Sequence, residues 1–239
     1  RYAPRAPIDR QAHIGVSPQR QPGLNFIGIA LELGRMSADQ MRGLGDTAAR
    51  LGANDIRLTV WQNPLILGVA DADVSAAVAA IEALGLSTRA TAFAAGAVAC
   101  TGKWGCKLAQ AYTKQDALAL VRHLEARFTL DTPINIHLTG CPNSCAQHYI
   151  GDIGLVGTPA PGGGEGYTIV LGGGSDQDQG IARPLCGPVP ADDITAILEH
   201  VVGHYLKSRQ SGQTFLSYTR GLSDAGLKTL LPPNFAAAA

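Results

Sequence analysis

The sequence predicts an α+β protein, and three observations lead to that fold class. Apolar segments alternate with helical patterns in the order strand, helix, strand, strand, helix over residues 24–90. The chain contains 29 Gly and 14 Pro, and turn signals separate these segments. Of its 239 residues, 46% are hydrophobic and 16% are charged, which is enough apolar material for a buried core. We expect two domains, residues 1–90 and 91–239.

The first domain is expected to begin with an extended, irregular lead-in over residues 1–23, which are rich in Pro, Arg and Gln. A strand is predicted from Asn25 to Leu33. Ser37 and Gln40 have the spacing of a capping box, so a helix should follow and end at Gly52. The remaining pattern predicts strands over 55–60 and 65–69 and a helix over 71–84.

In the second domain, helix-forming residues run from Cys106 to Phe128. The rest of the pattern predicts strands over 134–138, 152–156 and 167–171 and a helix over 191–207. Pro232 and Pro233, followed by alanines near the end, indicate the start of a linker. The chain opens on Arg1 rather than Met, and we expect it to be part of a longer protein.

The charge balance excludes some functions. Lysine plus arginine and aspartate plus glutamate both number 19, so the net charge is zero and nothing indicates a nucleic-acid partner. No window approaches the roughly 18 uninterrupted apolar residues of a membrane span, so no membrane partner is expected. Absent secretion signals favour a cytoplasmic location, with an organelle left open because a transit peptide could precede Arg1.

Four of the five cysteines fall in two pairs, Cys100 with Cys106 and Cys141 with Cys145. Four thiolates suit zinc or an iron–sulfur cluster. Neighbouring glycines allow close backbone approach, and Cys106 and Cys145 are expected to open helical segments whose free N–H groups stabilise thiolates, which favours the cluster. Zinc, four buried free thiols and disulfides remain alternatives. Cys186 has no partner spacing and is interpreted as structural.

Both cysteine pairs lie in longer motifs that resemble a known family. Two segments are similar to the two cluster motifs of the sirohaem nitrite and sulfite reductases. The first is residues 99–109, ACTGKWGCKLA, with Thr113-Lys114. The second is residues 139–146, TGCPNSCA, with residues 152–157. Residues 15–23 and 56–63 resemble upstream blocks of that family in the same order. The resemblance covers nearly the whole chain and implies a ferredoxin-like half-domain followed by an α/β cluster domain.

The resemblance assigns roles to individual residues. It implies that a [4Fe–4S] cluster is held by Cys100, Cys106, Cys141 and Cys145, and that Cys145, the catalytic thiolate, also bridges to the iron of sirohaem. Five further residues are candidates for cofactor binding: Arg57, Gln62, Asn63, Thr101 and Asn143. The competing interpretation of Arg57 is an exposed residue at a strand end, and that of Asn143 is a turn cap. His137 and His148 are interpreted as structural.

The activity implied is six-electron reduction of nitrite to ammonia. The alternatives are reduction of sulfite to sulfide on the same scaffold, and an iron–sulfur electron-transfer module without sirohaem. The resemblance is to the C-terminal half of these reductases, so an N-terminal half of the same reductase should complete the anion site.

The expected electron donor is a ferredoxin, or a flavoprotein or NAD(P)H module. Residues 101–127 carry five basic side chains against two acidic ones, which would steer an acidic ferredoxin: Lys103, Lys107, Lys114, Arg122 and Arg127 against Asp116 and Glu125.

Overall fold

Two units make up the chain in the computed structural model, which describes residues 13–53, 55–175 and 178–238. One unit ends at Ala95 and the other begins at Gly96. Mixed helices and sheets fill both units, so the α+β class is confirmed. Within the described ranges, no helix is long and apolar enough to cross a membrane.

The first unit is built on an antiparallel sheet with strand order β1-β2-β4-β3. Its strands are β1 (Gly15–Pro18), β2 (Leu24–Gly28), β3 (Asp55–Leu58) and β4 (Pro64–Ala70). Strand β1 corrects the expected irregular lead-in, because residues 15–18 pair with β2 along their whole length. The first 12 residues of that lead-in lie outside the described residues.

Two helices, α1 (Ala38–Arg50) and α2 (Val74–Ala83), pack with this sheet. The predicted capping box is present, since Gln40 N donates to Ser37 Oγ at 3.1 Å and Ser37 N donates to Gln40 Oε1 at 2.9 Å. The core they share with the strands is aliphatic and includes Ile27, Ile29, Leu44, Ile66 and Ile81.

The second unit contains a five-stranded sheet in the order β5-β6-β7-β8-β9. Its strands are β5 (Ala97–Ala99), β6 (Ile136–Thr139), β7 (Ile153–Pro159), β8 (Glu165–Leu171) and β9 (Arg183–Pro190). The first three strands are parallel and the last two are antiparallel to their neighbours. Strands β5 and β9 are additions to the predicted pattern.

Helices α3 (Thr113–Glu125), α4 (Ile194–Ser208), α5 (Phe215–Arg220) and α6 (Asp224–Lys228) complete this unit. Helix α3 packs against β5, β6 and α4, and it buries Leu120 and Leu124 fully. A short 3-10 helix over Pro233–Ala238 takes the place of the expected linker start.

Candidate metal centre

The two cysteine motifs meet because their strands are parallel neighbours. The carboxyl ends of parallel strands lie at the same edge of a sheet, and Cys100 follows β5 while Gly140 and Cys141 follow β6. The Gly140 N–H donates to Cys100 Sγ at 3.1 Å. The backbone of the second motif therefore contacts the sulfur of the first.

Only glycine fits at position 140. A Cβ there would lie 2.8 Å from the Cβ of Ala109 and 3.5 Å from Cys100 Sγ. The Gln110 N–H donates to the Gly140 carbonyl at 2.7 Å. The loop after Cys100 is thus packed directly on the turn that carries Cys141.

The loop holding Cys106 is a series of turns, and this corrects the prediction that Cys106 opens a helix. The Cys106 N–H donates to the Gly102 carbonyl at 3.0 Å, after a 3-10 turn over Gly102–Trp104. The Lys103 N–H donates to the Ala111 carbonyl at 3.0 Å, so the loop closes on itself. The α-helix begins only at Thr113.

The loop holding Cys145 also lacks the expected helix start. Ser144 and Gln147 adopt left-handed backbone angles, with φ of 60° and 55°, and a 3-10 turn begins at His148. The His137 Nδ1–H donates to the Gln147 carbonyl at 3.1 Å, and His148 Nδ1 shares a hydrogen bond of 2.9 Å with Ser144 Oγ. Both histidines therefore bond to this loop.

All five thiols are free of disulfides, but their surroundings differ. Cys141 is buried, Cys100 and Cys106 are half-buried, and Cys145 is exposed. Burial raises the pKa of the Cys186 thiol to about 11, which keeps it protonated and unreactive. The described residues do not gather three or more His, Cys, Asp or Glu side chains around a single ion. A cluster does not require such a group, because thiolates on the corners of a cluster are farther apart than thiolates on one ion.

The structure adds an acidic pair that the sequence motifs did not indicate. The Tyr167 hydroxyl donates to Asp116 Oδ2 at 2.5 Å, joining β8 to α3. Burial raises the pKa of the Asp116 carboxyl, and the hydrogen bond from Tyr167 opposes that shift only in part. Burial and the bond to Asp116 raise the pKa of Tyr167. The only signal for this pair in the sequence was the position of Asp116 within predicted helix.

The other predicted cofactor-binding residues fall in both units. In the first unit, Arg57 pairs with Asp55 at 2.9 Å, and Gln62 has a φ of 62°. Asn63 is buried, and its Oδ1 accepts the Leu31 N–H at 2.8 Å. In the second unit, Thr101 follows Cys100 in the sequence, and Asn143 lies between Cys141 and Cys145. Both side chains are exposed.

Comparison with known sequences identifies the family. Residues 17–84 match the nitrite/sulfite reductase ferredoxin-like half domain, and residues 88–214 match the nitrite and sulphite reductase 4Fe-4S domain. The chain belongs to the nitrite/sulfite reductase family. The predicted order of a ferredoxin-like half-domain followed by a cluster domain is therefore confirmed, and the family supports both predicted cofactors, the [4Fe–4S] cluster and sirohaem.

Individual relatives of both kinds are similar to this chain. Ferredoxin–nitrite reductase of Synechococcus elongatus is 34% identical over 197 residues, which cover 81% of this chain and 38% of the relative. Sulfite reductase [ferredoxin] 1 of Mycolicibacterium paratuberculosis is 36% identical over 216 residues, which cover 86% of this chain and 39% of the relative. The chain thus spans about two fifths of the length of these relatives.

A solved structure agrees with these matches. The Mycobacterium tuberculosis NirA protein superposes with a TM-score of 0.83 at 35% identity, over 93% of this chain and 42% of NirA. That similarity covers both units and so supports the α+β architecture described above.

The residues at the strand edge fit an iron–sulfur cluster in three respects. Four free thiols form a donor set that suits such a cluster. The Gly140 N–H already points at one of the sulfurs, as expected for a stabilised thiolate. The Thr139 hydroxyl, just before Gly140, is buried without a hydrogen-bond partner among the described residues. A bound group with acceptor atoms would remove the cost of that unpaired hydroxyl.

Proposed function

We propose that this chain is the cluster-holding C-terminal half of a sirohaem-dependent reductase that converts nitrite to ammonia with six electrons. The observation that carries the proposal is the 3.1 Å bond from Gly140 N–H to Cys100 Sγ, which joins the two cysteine motifs at one sheet edge. Family membership supports an oxidoreductase of the nitrite/sulfite class.

The four cysteines would all bind the cluster, and one of them would have a second part. Cys100, Cys106 and Cys141 would serve as cluster ligands, and Cys145 would serve as both the fourth ligand and the bridge to sirohaem. The exposure of Cys145 suits a thiolate that must contact a second group outside the loop. When bound, the two cofactors supply electron storage and an iron centre for the anion.

The remaining candidates would act around the cofactors. We place the domain boundary near residue 90. Thr101 and Asn143 lie after it and are assigned to the cluster motifs. Arg57, Gln62 and Asn63 lie before it, in the first unit, and are assigned to cofactor binding. An arginine suits a carboxylate of sirohaem because its guanidinium can donate two parallel hydrogen bonds. Asn63 already uses its Oδ1 on Leu31, so its contribution would be to hold the backbone.

Sulfite is the second candidate substrate. Sulfite reductase relatives are as similar to this chain as nitrite reductase relatives, at 36% and 34% identity. Residues 99–102 and 113–114 resemble both nitrite reductases and relatives assigned to sulfite, so they do not choose between the two anions. Steady-state turnover of the two anions by the complete reductase distinguishes the candidates.

Other parts of the proposal concern partners and location. We infer that the electron donor is a ferredoxin, because both relatives carry ferredoxin in their names. A flavoprotein or NAD(P)H module is the alternative donor. We also propose a cytoplasmic location and an N-terminal half that supplies most of the anion site.

The proposal is tested by iron content and absorption spectra after anaerobic purification. Single replacement of Cys100, Cys106, Cys141 or Cys145 by Ser should remove most of the iron and the broad iron–sulfur absorbance. Cys186→Ser is the matched control, because this buried thiol lies on β9, away from both motifs in sequence, and should retain both signals.

The spectra also separate the rival functions. Cluster absorbance together with sirohaem bands supports the reductase, whereas cluster absorbance alone in the complete protein supports an electron-transfer module. A colourless wild-type protein that contains zinc would contradict the proposal, and so would equal iron loss in Cys186→Ser.

A further inference from the structure

Two adjacent residues at the start of α3 hold the backbone next to Cys100. Thr113 is fully buried, and its hydroxyl donates to the Cys100 carbonyl at 2.7 Å. The half-buried Lys114 donates from Nζ to the Ala99 carbonyl at 3.0 Å. The end of β5 is therefore fixed by one hydroxyl and one ammonium group from the same helical turn.

The Thr113 hydroxyl has a single proton, so its geometry shows which group it holds. Its Oγ1 lies 2.7 Å from the Cys100 carbonyl and 3.7 Å from Cys100 Sγ, and the shorter contact is the stronger hydrogen bond. Thr113 thus fixes the backbone of Cys100, while Gly140 donates to its sulfur. The backbone and the sulfur of Cys100 are therefore held by two different residues.

Lys114 lies where a cation is normally unfavourable. The first turn of a helix carries partial positive charge, so a lysine there is opposed by the helix dipole. A negatively charged group at Cys100 would reverse that balance, because thiolate ligands give an iron–sulfur cluster net negative charge. Such a group would therefore favour the ammonium group beside the Cys100 backbone, in addition to its hydrogen bond to the Ala99 carbonyl.

We propose that Thr113 and Lys114 are positioning residues for the Cys100 ligand, and that the charge of Lys114 raises the reduction potential of the cluster. The inference rests on the proposed function, in which Cys100 is a cluster ligand. Reduction adds an electron, so a nearby positive charge stabilises the reduced cluster more than the oxidised one. Lys114 would thereby make the cluster easier for its donor to reduce.

The test is a spectroscopic redox titration of the whole chain after anaerobic reconstitution with iron and sulfide. Lys114→Gln should shift the midpoint potential of the cluster to a more negative value, whereas Lys114→Arg, which keeps the charge, should stay near the wild type. Lys228→Gln removes an exposed charge on α6 and should cause no shift. Thr113→Val should lower the fraction of chains that retain a cluster, whereas Thr113→Ser, which keeps the hydroxyl, should leave that fraction near the wild type.

Each outcome decides between the two levels of the proposal. A wild-type chain that takes up no cluster would overturn the proposed function and this inference together. A cluster that forms with the same potential in the wild type and Lys114→Gln would overturn this inference alone. If Lys114→Gln loses its cluster while Lys114→Arg keeps it, the positioning role is supported. Loss from both variants would overturn the role of the charge.

Discussion

Gly140 shows how one residue can join two distant segments of the sequence. Its N–H contacts Cys100 Sγ, its carbonyl accepts from Gln110, and its missing side chain leaves room for Ala109. Its position one residue before Cys141 could be read from the sequence. Its contacts with the other motif could not, because they depend on β5 and β6 being neighbours.

Gly140→Ala should destabilise the chain by about 1–3 kcal/mol, because the new methyl group would overlap Ala109 at 2.8 Å. It should also lower cluster retention, since the donor to Cys100 Sγ would move. Equilibrium urea unfolding and iron analysis measure the two effects.

Gly45→Ala is the control of opposite sign for that substitution. Gly45 lies inside α1, and a Cβ there would meet nothing within 4 Å. Alanine should stabilise this helix by about 0.5–1 kcal/mol. Unfolding curves of Gly140→Ala that overlay the wild type would contradict the close packing at the strand edge.

At the scale of elements, the sequence was most informative where the signal was local. The Ser37–Gln40 capping box and the end of α1 near Gly52 depend on neighbouring residues, and both were predicted correctly. Strand β9 contains Pro184, Pro188 and Pro190, which argue against a strand in a sequence pattern. It forms because it lies at the edge of the sheet, where prolines are tolerated.

The start of α3 was misplaced for a different reason. Residues 106–112 have helical composition, yet they are bonded differently. The Gln110 N–H donates to the Gly140 carbonyl, and the Ala111 carbonyl accepts from the Lys103 N–H. These contacts within the loop and across to the second motif replace the helical bonds. Composition does not report such tertiary contacts, so the two cysteine pairs could be recognised in the sequence while the shape of their loops could not.

The contact between α3 and β8 predicts an unusual pH dependence. The pKa of Asp116 is raised in the folded chain, so its stabilising contribution is present below the ordinary carboxyl pKa and is lost as pH rises through the raised value. Asp116→Asn, which cannot ionise but still accepts from Tyr167, should therefore be more stable than the wild type at neutral pH. The difference should disappear in acid.

Asp131→Asn is the control for that comparison, because the pKa of Asp131 is lowered by its hydrogen bond from Arg209. Its contribution is present above the ordinary carboxyl pKa and is lost as pH falls. This variant should be less stable than the wild type at neutral pH. Urea unfolding of the cluster-free chain across pH measures both, and the same sign for the two variants would refute the assignment.

For the whole molecule, zero net charge conceals a local arrangement that the structure clarifies. The basic stretch over residues 101–127 is partly neutralised, since Lys103 pairs with Glu165 at 2.8 Å and Arg127 pairs with Glu199 at 2.9 Å. Counting charges along the sequence overstated the field, because both acidic partners lie outside the stretch. Lys107 is exposed, next to Cys106.

This distribution leads us to expect that Lys107, more than the summed charge, governs the approach of an acidic ferredoxin. Lys107→Glu should slow reduction of the cluster by reduced ferredoxin about three- to tenfold at low ionic strength, because it reverses a charge beside a proposed ligand. Salt should abolish most of the difference, since exposed charges are screened beyond about 10 Å at 0.1 M. Lys228→Glu makes the same change in net charge on exposed α6 and should alter the rate little. Stopped-flow traces at low and high salt measure these rates, and equal slowing by both variants would show that net charge alone controls the encounter.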